Sequence, residues 1–310
     1  MKYKNKKKYI FFIFVINSRT INSIQFKNFS YFCILYILHL IYFFYFNLKM
    51  TPEFNELYES LKLLASMGCI GIKISFEDEG AQYNEMVSMR NLTSMLDLKL
   101  SVKIGGCEAK TDISNCGQIG SDIIIAPMVE SGFALQKFKT SIIKSGYGGK
   151  IGMNVETKLA LENYEKEMVP LLTGVDFVVF GRVDYITSLG KDRSYADHEE
   201  MYEKVSRMFR LTKKEYPEVE TCLGGAISSN SKEFVKKLVA EGLLNKFETR
   251  YIIFDAKKVD LDNFEQLIFN ATKFELKWLK YIHKRYADYA AKDHQRILMI
   301  QDRFEKSLSK

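Results

Sequence analysis

The chain has 310 residues, enough for one large α/β domain or two small ones. Its formal charge is +7, but residues 1–50 hold eight Lys or Arg and no acid, and subtracting these leaves −1 for residues 51–310. This near-neutral body excludes a global basic surface for DNA or RNA. Five cysteines without a Cys-x-x-Cys pair argue against a disulfide framework or a structural zinc site and favour a cytoplasmic protein.

Residues 1–49 differ in composition from the rest. Phe, Tyr, Ile, Asn and Lys make up 35 of the first 50 residues, as in AT-rich DNA translated without selection for a fold. We expect these residues to be a leader outside the fold, produced when translation begins upstream of the true start. Met50 reads as that start, because Thr51 can cap a helix whose first position is Pro52. The alternative is a membrane anchor, because Tyr31 to Leu48 is an uncharged run of 18 residues.

From Met50 onward, apolar runs alternate with helical patterns. The first predicted helix carries its apolar residues from Phe54 to Ala65 and ends at Gly68. Seven strands are predicted: Cys69 to Phe76, Leu100 to Ile104, Asp122 to Met128, Ile151 to Val155, Val175 to Phe180, Glu220 to Leu223 and Thr249 to Phe254. Strands separated by helices indicate βα units and a parallel sheet.

This order favours an α/β fold of the (β/α)₈ TIM-barrel type, over residues 50–256, with parallel strands and one strand still to be located. An open doubly wound sheet is the alternative, but the first strand lacks the Gly-x-Gly-x-x-Gly turn of dinucleotide folds. Residues 257–310 are predicted to form a C-terminal helical extension with a long apolar stripe. That stripe covers the barrel or packs on a second copy in a homo-oligomer.

Two acids follow neighbouring predicted strands. Glu156 ends Ile-Gly-Met-Asn-Val-Glu, and Asp184 follows Phe-Val-Val-Phe-Gly-Arg-Val. Barrels place their chemistry at the carboxyl ends of strands, and paired carboxylates suit a hard cation such as Mg²⁺. The sequence therefore predicts a metal site at Glu156 and Asp184.

Four stretches in order resemble the HpcH/HpaI aldolase and citrate lyase β-subunit family. They are Phe76-Glu77-Asp78-Glu79-Gly80-Ala81 with Arg90 downstream, Ala126-Pro127-Met128-Val129-Glu130-Ser131, Val155-Glu156-Thr157, and Phe180-Gly181-Arg182-Val183-Asp184-Tyr185 with Ser188 to Arg193 behind it. The resemblance implies a barrel that makes or breaks carbon–carbon bonds through an enolate. It also implies that Glu156 and Asp184 hold Mg²⁺ or Mn²⁺.

The resemblance implies that a cationic side chain on an earlier strand stabilises the enolate oxygen. The family usually has arginine at this position, and this chain has Lys103. Lysine keeps the charge but lacks the planar fork that grips a carboxylate bidentately. The histidine base of the aldolase branch has no counterpart near Glu77. A water or hydroxide held by Glu77 and Glu130 is the alternative route for the proton.

Further candidates surround these positions. Gly105 and Gly106 let a ligand approach the backbone closely, and Glu108 and Arg182 are the side chains expected to bind substrate. Arg250 is expected to form a structural ion pair with an acid.

The predicted function is a metal-dependent carbon–carbon lyase or aldolase acting on a 2-oxo acid such as pyruvate, or on a related small carboxylate. One alternative is a Schiff-base aldolase that uses Lys103 without a metal. Another is a non-catalytic barrel that binds a metabolite or a partner. A membrane partner is expected only if residues 1–49 belong to the protein, and no nucleic-acid partner is expected.

Overall fold

The computed structural model describes residues 50–308. The leader or anchor predicted for residues 1–49, including Tyr31 to Leu48, lies outside this range. Within it, none of the helices combines the length and the apolar character needed to cross a membrane. The strands all belong to one compact unit, which begins at Glu56.

Eight strands close a barrel in chain order, which confirms the predicted fold class. They are β1 (Cys69–Ser75), β2 (Lys99–Lys103), β3 (Ile123–Ala126), β4 (Lys150–Val155), β5 (Phe177–Gly181), β6 (Glu220–Gly224), β7 (Lys246–Glu248) and β8 (Ile252–Asp255). The first seven run parallel.

The last two strands differ from the sequence prediction, and of these only β8 departs from the all-parallel arrangement. β7 is the strand that the sequence pattern missed, because three residues with a charge at each end form no apolar run. β8 follows through a short hairpin and pairs antiparallel with both β7 and β1. The β7–β8 turn, with Thr249 and Arg250, therefore lies at the same barrel end as the carboxyl ends of the parallel strands.

Nine α-helices occur in the described part of the chain. They are α1 (Pro52–Ser66), α2 (Tyr83–Met95), α3 (Lys110–Ile119), α4 (Gly132–Ser145), α5 (Lys158–Asn163), α6 (Arg182–Ser188), α7 (Glu199–Glu215), α8 (Lys232–Ala240) and α9 (Phe264–Leu308). The predicted cap is confirmed, because Thr51 Oγ1 accepts a bond from Phe54 N. Gly120, at φ +69°, ends α3 in the left-handed conformation that glycine adopts at no steric cost.

The inward-facing side chains of the barrel form two layers of different character. Paired positions point to the same side, so the inner face follows Lys73, Ser101, Ile123 and their partners around the barrel. The lower layer is a buried apolar cluster of Ile123, Ile125, Phe177, Val179 and Cys222. The upper layer, toward the carboxyl ends of the strands, consists of Lys73, Ser75, Lys103, Asn154, Gly181, Gly224 and Glu248.

The C-terminal helix α9 has two different halves. Its first part buries Phe264, Phe274 and Trp278, as the apolar stripe predicts. Farther along, Tyr286 donates a hydrogen bond to Glu85 of α2, and from Tyr289 onward the residues are exposed. Packing on a second copy stays a prediction for this exposed half.

Candidate active site

A cavity of about 360 Å³ opens at the carboxyl end of the strands, and we call it the mouth cavity. The upper layer forms its floor, and the loops after β1, β5, β6 and β7 form its wall. Its charged lining consists of Lys73, Asp78, Glu79, Lys103, Glu156, Asp184, Arg193, Glu248, Arg250 and Glu275. Six of these residues are acidic and four are basic, and this excess of acids favours a divalent cation.

Glu156 follows β4 directly and is almost fully buried at 1% exposure. Its Oε1 accepts a hydrogen bond from Met128 N at 2.9 Å, and its Oε2 accepts one from Asn154 Nδ2 at 2.8 Å. Met128 has a φ of +48°, so a strained backbone holds its N–H toward the carboxylate. Burial raises the pKa of Glu156, although the Lys103 charge and both hydrogen bonds oppose the shift.

Asp184 enters the cavity from the first turn of α6, three residues after β5 ends. It is half-buried, and burial raises its pKa against the opposing charge of Lys103. Like charges contribute as well, since Glu77 and Asp78 disfavour a further negative charge nearby. A cation bound here would relieve that repulsion.

Lys103 ends β2 at the centre of this acidic group. Its Nζ lies 2.9 Å from Glu77 Oε2 and 3.9 Å from Glu156 Oε2. Burial disfavours its charge, but the carboxylates of Glu156, Glu77 and Asp184 outweigh burial and raise the pKa of Lys103. Lys103 is therefore a protonated ammonium at neutral pH.

The residues present fit a divalent cation held by two protein carboxylates. No group of three or more His, Cys, Asp or Glu within residues 50–308 is arranged to hold a metal. However, Asn154 Oδ1 is a buried oxygen with no hydrogen-bond partner, and Asn154 lines the cavity beside Glu156. Carboxylate and amide oxygens are the donors that Mg²⁺ and Mn²⁺ prefer, with water and substrate completing the coordination.

Glycine at position 181 leaves room for Glu156. A Cβ there would lie 2.7 Å from Glu156 Cβ and 2.8 Å from its Oε2. No side chain larger than hydrogen fits without moving the carboxylate, so Gly181 defines the position of Glu156.

The structure adds two charged residues that sequence reasoning missed, Lys73 and Glu248. Lys73 lies at an inward position of β1 and pairs with Glu248 of β7. Glu79 and Asp78 follow β1 and lie near Arg250, whose expected ion pair is confirmed at 3.0 Å from Asp78 Oδ2. Lys73 interrupts an apolar strand at an alternating position, and this signal could have identified it.

Several predicted site residues lie outside the mouth cavity. Glu130 accepts a 2.6 Å hydrogen bond from Thr157 Oγ1, the hydroxyl that caps α5. Gly105 N donates to Asp112 Oδ2 at 2.7 Å, and Glu108 pairs with Lys137 at 2.9 Å. Gly106 adjoins this loop and also does not line the cavity.

Arg182 is completely buried beneath the cavity wall. Its Nη1 contacts Asp197 Oδ1 at 2.7 Å, and its Nε donates to Gly225 O at 3.0 Å. The guanidinium also packs over the Phe234 ring at 5.0 Å. Arg182 thus connects the end of β5 to the loops that follow β6 and α6, and its role is to position the wall.

Residues 96–218 match the family model for HpcH/HpaI aldolase/citrate lyase. The matched segment contains three of the four motifs that resemble this family. It contains Lys103, Glu156 and Asp184, whereas Glu77, Glu79 and Glu248 lie outside it. The family is of the lyase and aldolase type and is typically dependent on a divalent metal. No curated protein sequence matches the chain.

Three solved structures are similar to parts of this chain. The crystal structure of citrate synthase SbnG superposes with a TM-score of 0.51 at 14% identity, over 74% of this chain and 90% of that chain. An HpcH/HpaI aldolase from Desulfitobacterium hafniense DCB-2 gives a TM-score of 0.46 at 14% identity, over 56% of this chain and 74% of that chain. An HpcH/HpaI aldolase/citrate lyase family protein from Burkholderia cenocepacia J2315 gives a TM-score of 0.48 at 13% identity, over 60% of this chain and 80% of that chain.

Proposed function

We propose that this chain is a divalent-metal-dependent carbon–carbon lyase or aldolase that acts through the enolate of a 2-oxo acid or a related carboxylate. The observation that carries the proposal is the meeting of Glu156, Asp184 and Lys103 in one cavity at the carboxyl end of an HpcH/HpaI-type barrel. We assign Mg²⁺ or Mn²⁺ to the two carboxylates.

The chain's own residues prepare this site. Glu156 is fixed by Met128 N and the Asn154 amide, so its carboxylate is oriented before a ligand arrives. Lys103 places a permanent positive charge where negative charge develops on the substrate oxygen. When bound, the cation supplies Lewis-acid polarisation of the carbonyl.

The charge state of Lys103 weighs against the Schiff-base alternative. A lysine that forms an imine must attack as a neutral amine, and enzymes lower its pKa by desolvation or a neighbouring cation. Here the neighbouring carboxylates raise the pKa of Lys103 instead. The surroundings favour a stabilising role for the ammonium over a nucleophilic one.

Deuterium exchange into the methyl group of pyruvate in D₂O, followed by ¹H NMR, tests the proposal. We expect exchange with added Mg²⁺ or Mn²⁺, and its loss on addition of EDTA. Glu156→Gln and Asp184→Asn should each weaken Mn²⁺ binding at least ~100-fold, because direct ligands matter more than their hydrogen-bond partners. Glu203→Gln, an exposed acid of α7, is the matched control.

Exchange that survives EDTA and both substitutions would contradict the metal assignment. Borohydride trapping of a pyruvate adduct on Lys103 would then select the Schiff-base enzyme. Tight binding of 2-oxo acids without exchange under any condition would instead select a binding protein.

A further inference from the structure

Three consecutive acids follow β1, and their side chains have different partners. Glu77 pairs with Lys103 at 2.9 Å, and Asp78 pairs with Arg250 at 3.0 Å. Glu79 has only 9% of its side chain exposed, and its closest cation contact is Arg250 Nε, 3.5 Å from Oε1. Its other oxygen, Oε2, is buried and has no hydrogen-bond partner.

A buried carboxylate oxygen without a donor is costly unless it serves a purpose. Glu79 lines the same cavity as Glu156, Asp184 and Lys103, so a substrate held there is accessible to it. The described His residues, His198, His283 and His294, do not line this cavity. The proton-transfer function therefore needs another group.

We infer that Glu79 is the general base and acid of this site, accepting and returning the proton on the carbon beside the substrate carbonyl. This inference rests on the proposed enolate chemistry. The inference differs from the predicted water or hydroxide held by Glu77 and Glu130, because neither residue lines the cavity and Glu77 is paired with Lys103.

Glu248 is the other cavity acid with an unpartnered oxygen. Its Oε1 is in direct contact with Lys73 Nζ, and it lies deep in the upper layer at 2% exposure. Glu79 stands on the loop above it without so close an ion pair. The carboxylate of Glu79 is therefore less tightly held by a cation than that of Glu248 and is the better candidate for proton transfer.

The surrounding charges match this role. Burial raises the pKa of Glu79 to about 7, against the opposing charges of Lys73 on β1 and Arg250 in the β7–β8 turn, and Asp78 adds to the shift. Two further titratable groups lie near Glu79 and Arg250: Tyr251 in the β7–β8 turn and Glu275 of α9. A base that titrates near neutral pH is half-ionised and can work in both directions.

The step conserves atoms and charge. The ionised Glu79 takes a proton from the methyl carbon of pyruvate, the C–H electron pair becomes the new C=C bond, and the carbonyl oxygen gains the negative charge. In reverse, the carboxylic acid returns a proton, or a deuteron after exchange with D₂O, to the same carbon.

The test compares wild type, Glu79→Gln, Glu79→Asp and the control Glu203→Gln in the pyruvate exchange assay with Mn²⁺. Gln resembles the protonated acid, so the fold should be kept, and circular dichroism checks this. We expect Glu79→Gln to slow exchange at least ~100-fold and to abolish its rise with pH near 7, while Mn²⁺ affinity changes less than about twofold. Glu79→Asp keeps a carboxylate and should retain measurable exchange with the pH rise.

Wild-type exchange rate and pH profile in Glu79→Gln would overturn the role of Glu79 and leave the proposed function standing. Failure of the wild-type protein to exchange pyruvate or enolise oxaloacetate would overturn both. If Glu79→Gln does not fold, the result is decided by Glu79→Asp, where an unchanged rate with no shift in the pH profile contradicts the inference.

Discussion

The two layers of the barrel interior share strands but not chemistry. The lower layer of Ile123, Ile125, Phe177, Val179 and Cys222 is apolar and buried, whereas the upper layer carries Lys73, Lys103, Asn154 and Glu248 beneath the mouth cavity. The boundary is crossed within two residues, from Val179 to Gly181 on β5. This contrast indicates that the apolar lower layer stabilises the fold. The upper layer contributes less to stability, because it contains buried charges and an open cavity.

The largest expected effect lies in the lower layer. Phe177→Ala removes a buried ring from the apolar cluster and should lower the free energy of unfolding by about 3–5 kcal/mol. Urea unfolding measures this loss, and Phe269→Ala, at an exposed position of α9, is the control with an expected change below about 0.5 kcal/mol. Mn²⁺ affinity of folded Phe177→Ala should be unchanged. An affinity loss as large as that of Asp184→Asn would show that the layers are not separate.

In the upper layer, Lys103→Met should act on chemistry. Loss of the ammonium removes the charge that stabilises the substrate oxygen, so pyruvate exchange should fall about 10²–10³-fold. Lys137→Met removes an exposed lysine on α4 and should leave the rate unchanged. A decrease below threefold in Lys103→Met would place the stabilising charge elsewhere.

Glu79 should make stability depend on pH. Its folded pKa of about 7 lies above the ordinary 4.5, so the folded state binds this proton more tightly. The stabilisation that protonated Glu79 gives the folded state is fully present below about pH 4.5. It is lost as the pH rises to about 7 and beyond, which lowers the free energy of unfolding by up to about 3 kcal/mol. In urea unfolding at pH 5 and pH 8, Glu79→Gln should gain stability relative to wild type at the higher pH. An equal difference at both pH values would contradict the burial of this charge.

A smaller effect is expected from Gly181→Ala. The added Cβ would displace Glu156, so Mn²⁺ affinity should drop about 10–100-fold. Gly148→Ala is the matched control, because a Cβ there meets nothing within 4 Å. Calorimetry measures both, and equal affinities would mean that Glu156 tolerates the displacement.

The sequence predicted the barrel and the core of its mouth because both leave local signals. Parallel strands buried on both faces form apolar runs; Glu156 follows one of them directly, and Asp184 lies three residues after the end of another. β7 and the reversal of β8 leave no such signal, since Lys-Phe-Glu is short and direction depends on pairing with β1. Arg182 and Glu130 are adjacent to the motifs in sequence, but their orientation depends on tertiary contacts with Asp197 and Thr157.

Anomalous diffraction from crystals of the protein soaked with Mn²⁺ and pyruvate tests the central claim most directly. We expect a manganese peak within bonding distance of carboxylate oxygens of both Glu156 and Asp184, with Lys103 facing the pyruvate oxygen. A peak bound elsewhere, or a pyruvate covalently joined to Lys103 without manganese, would contradict it.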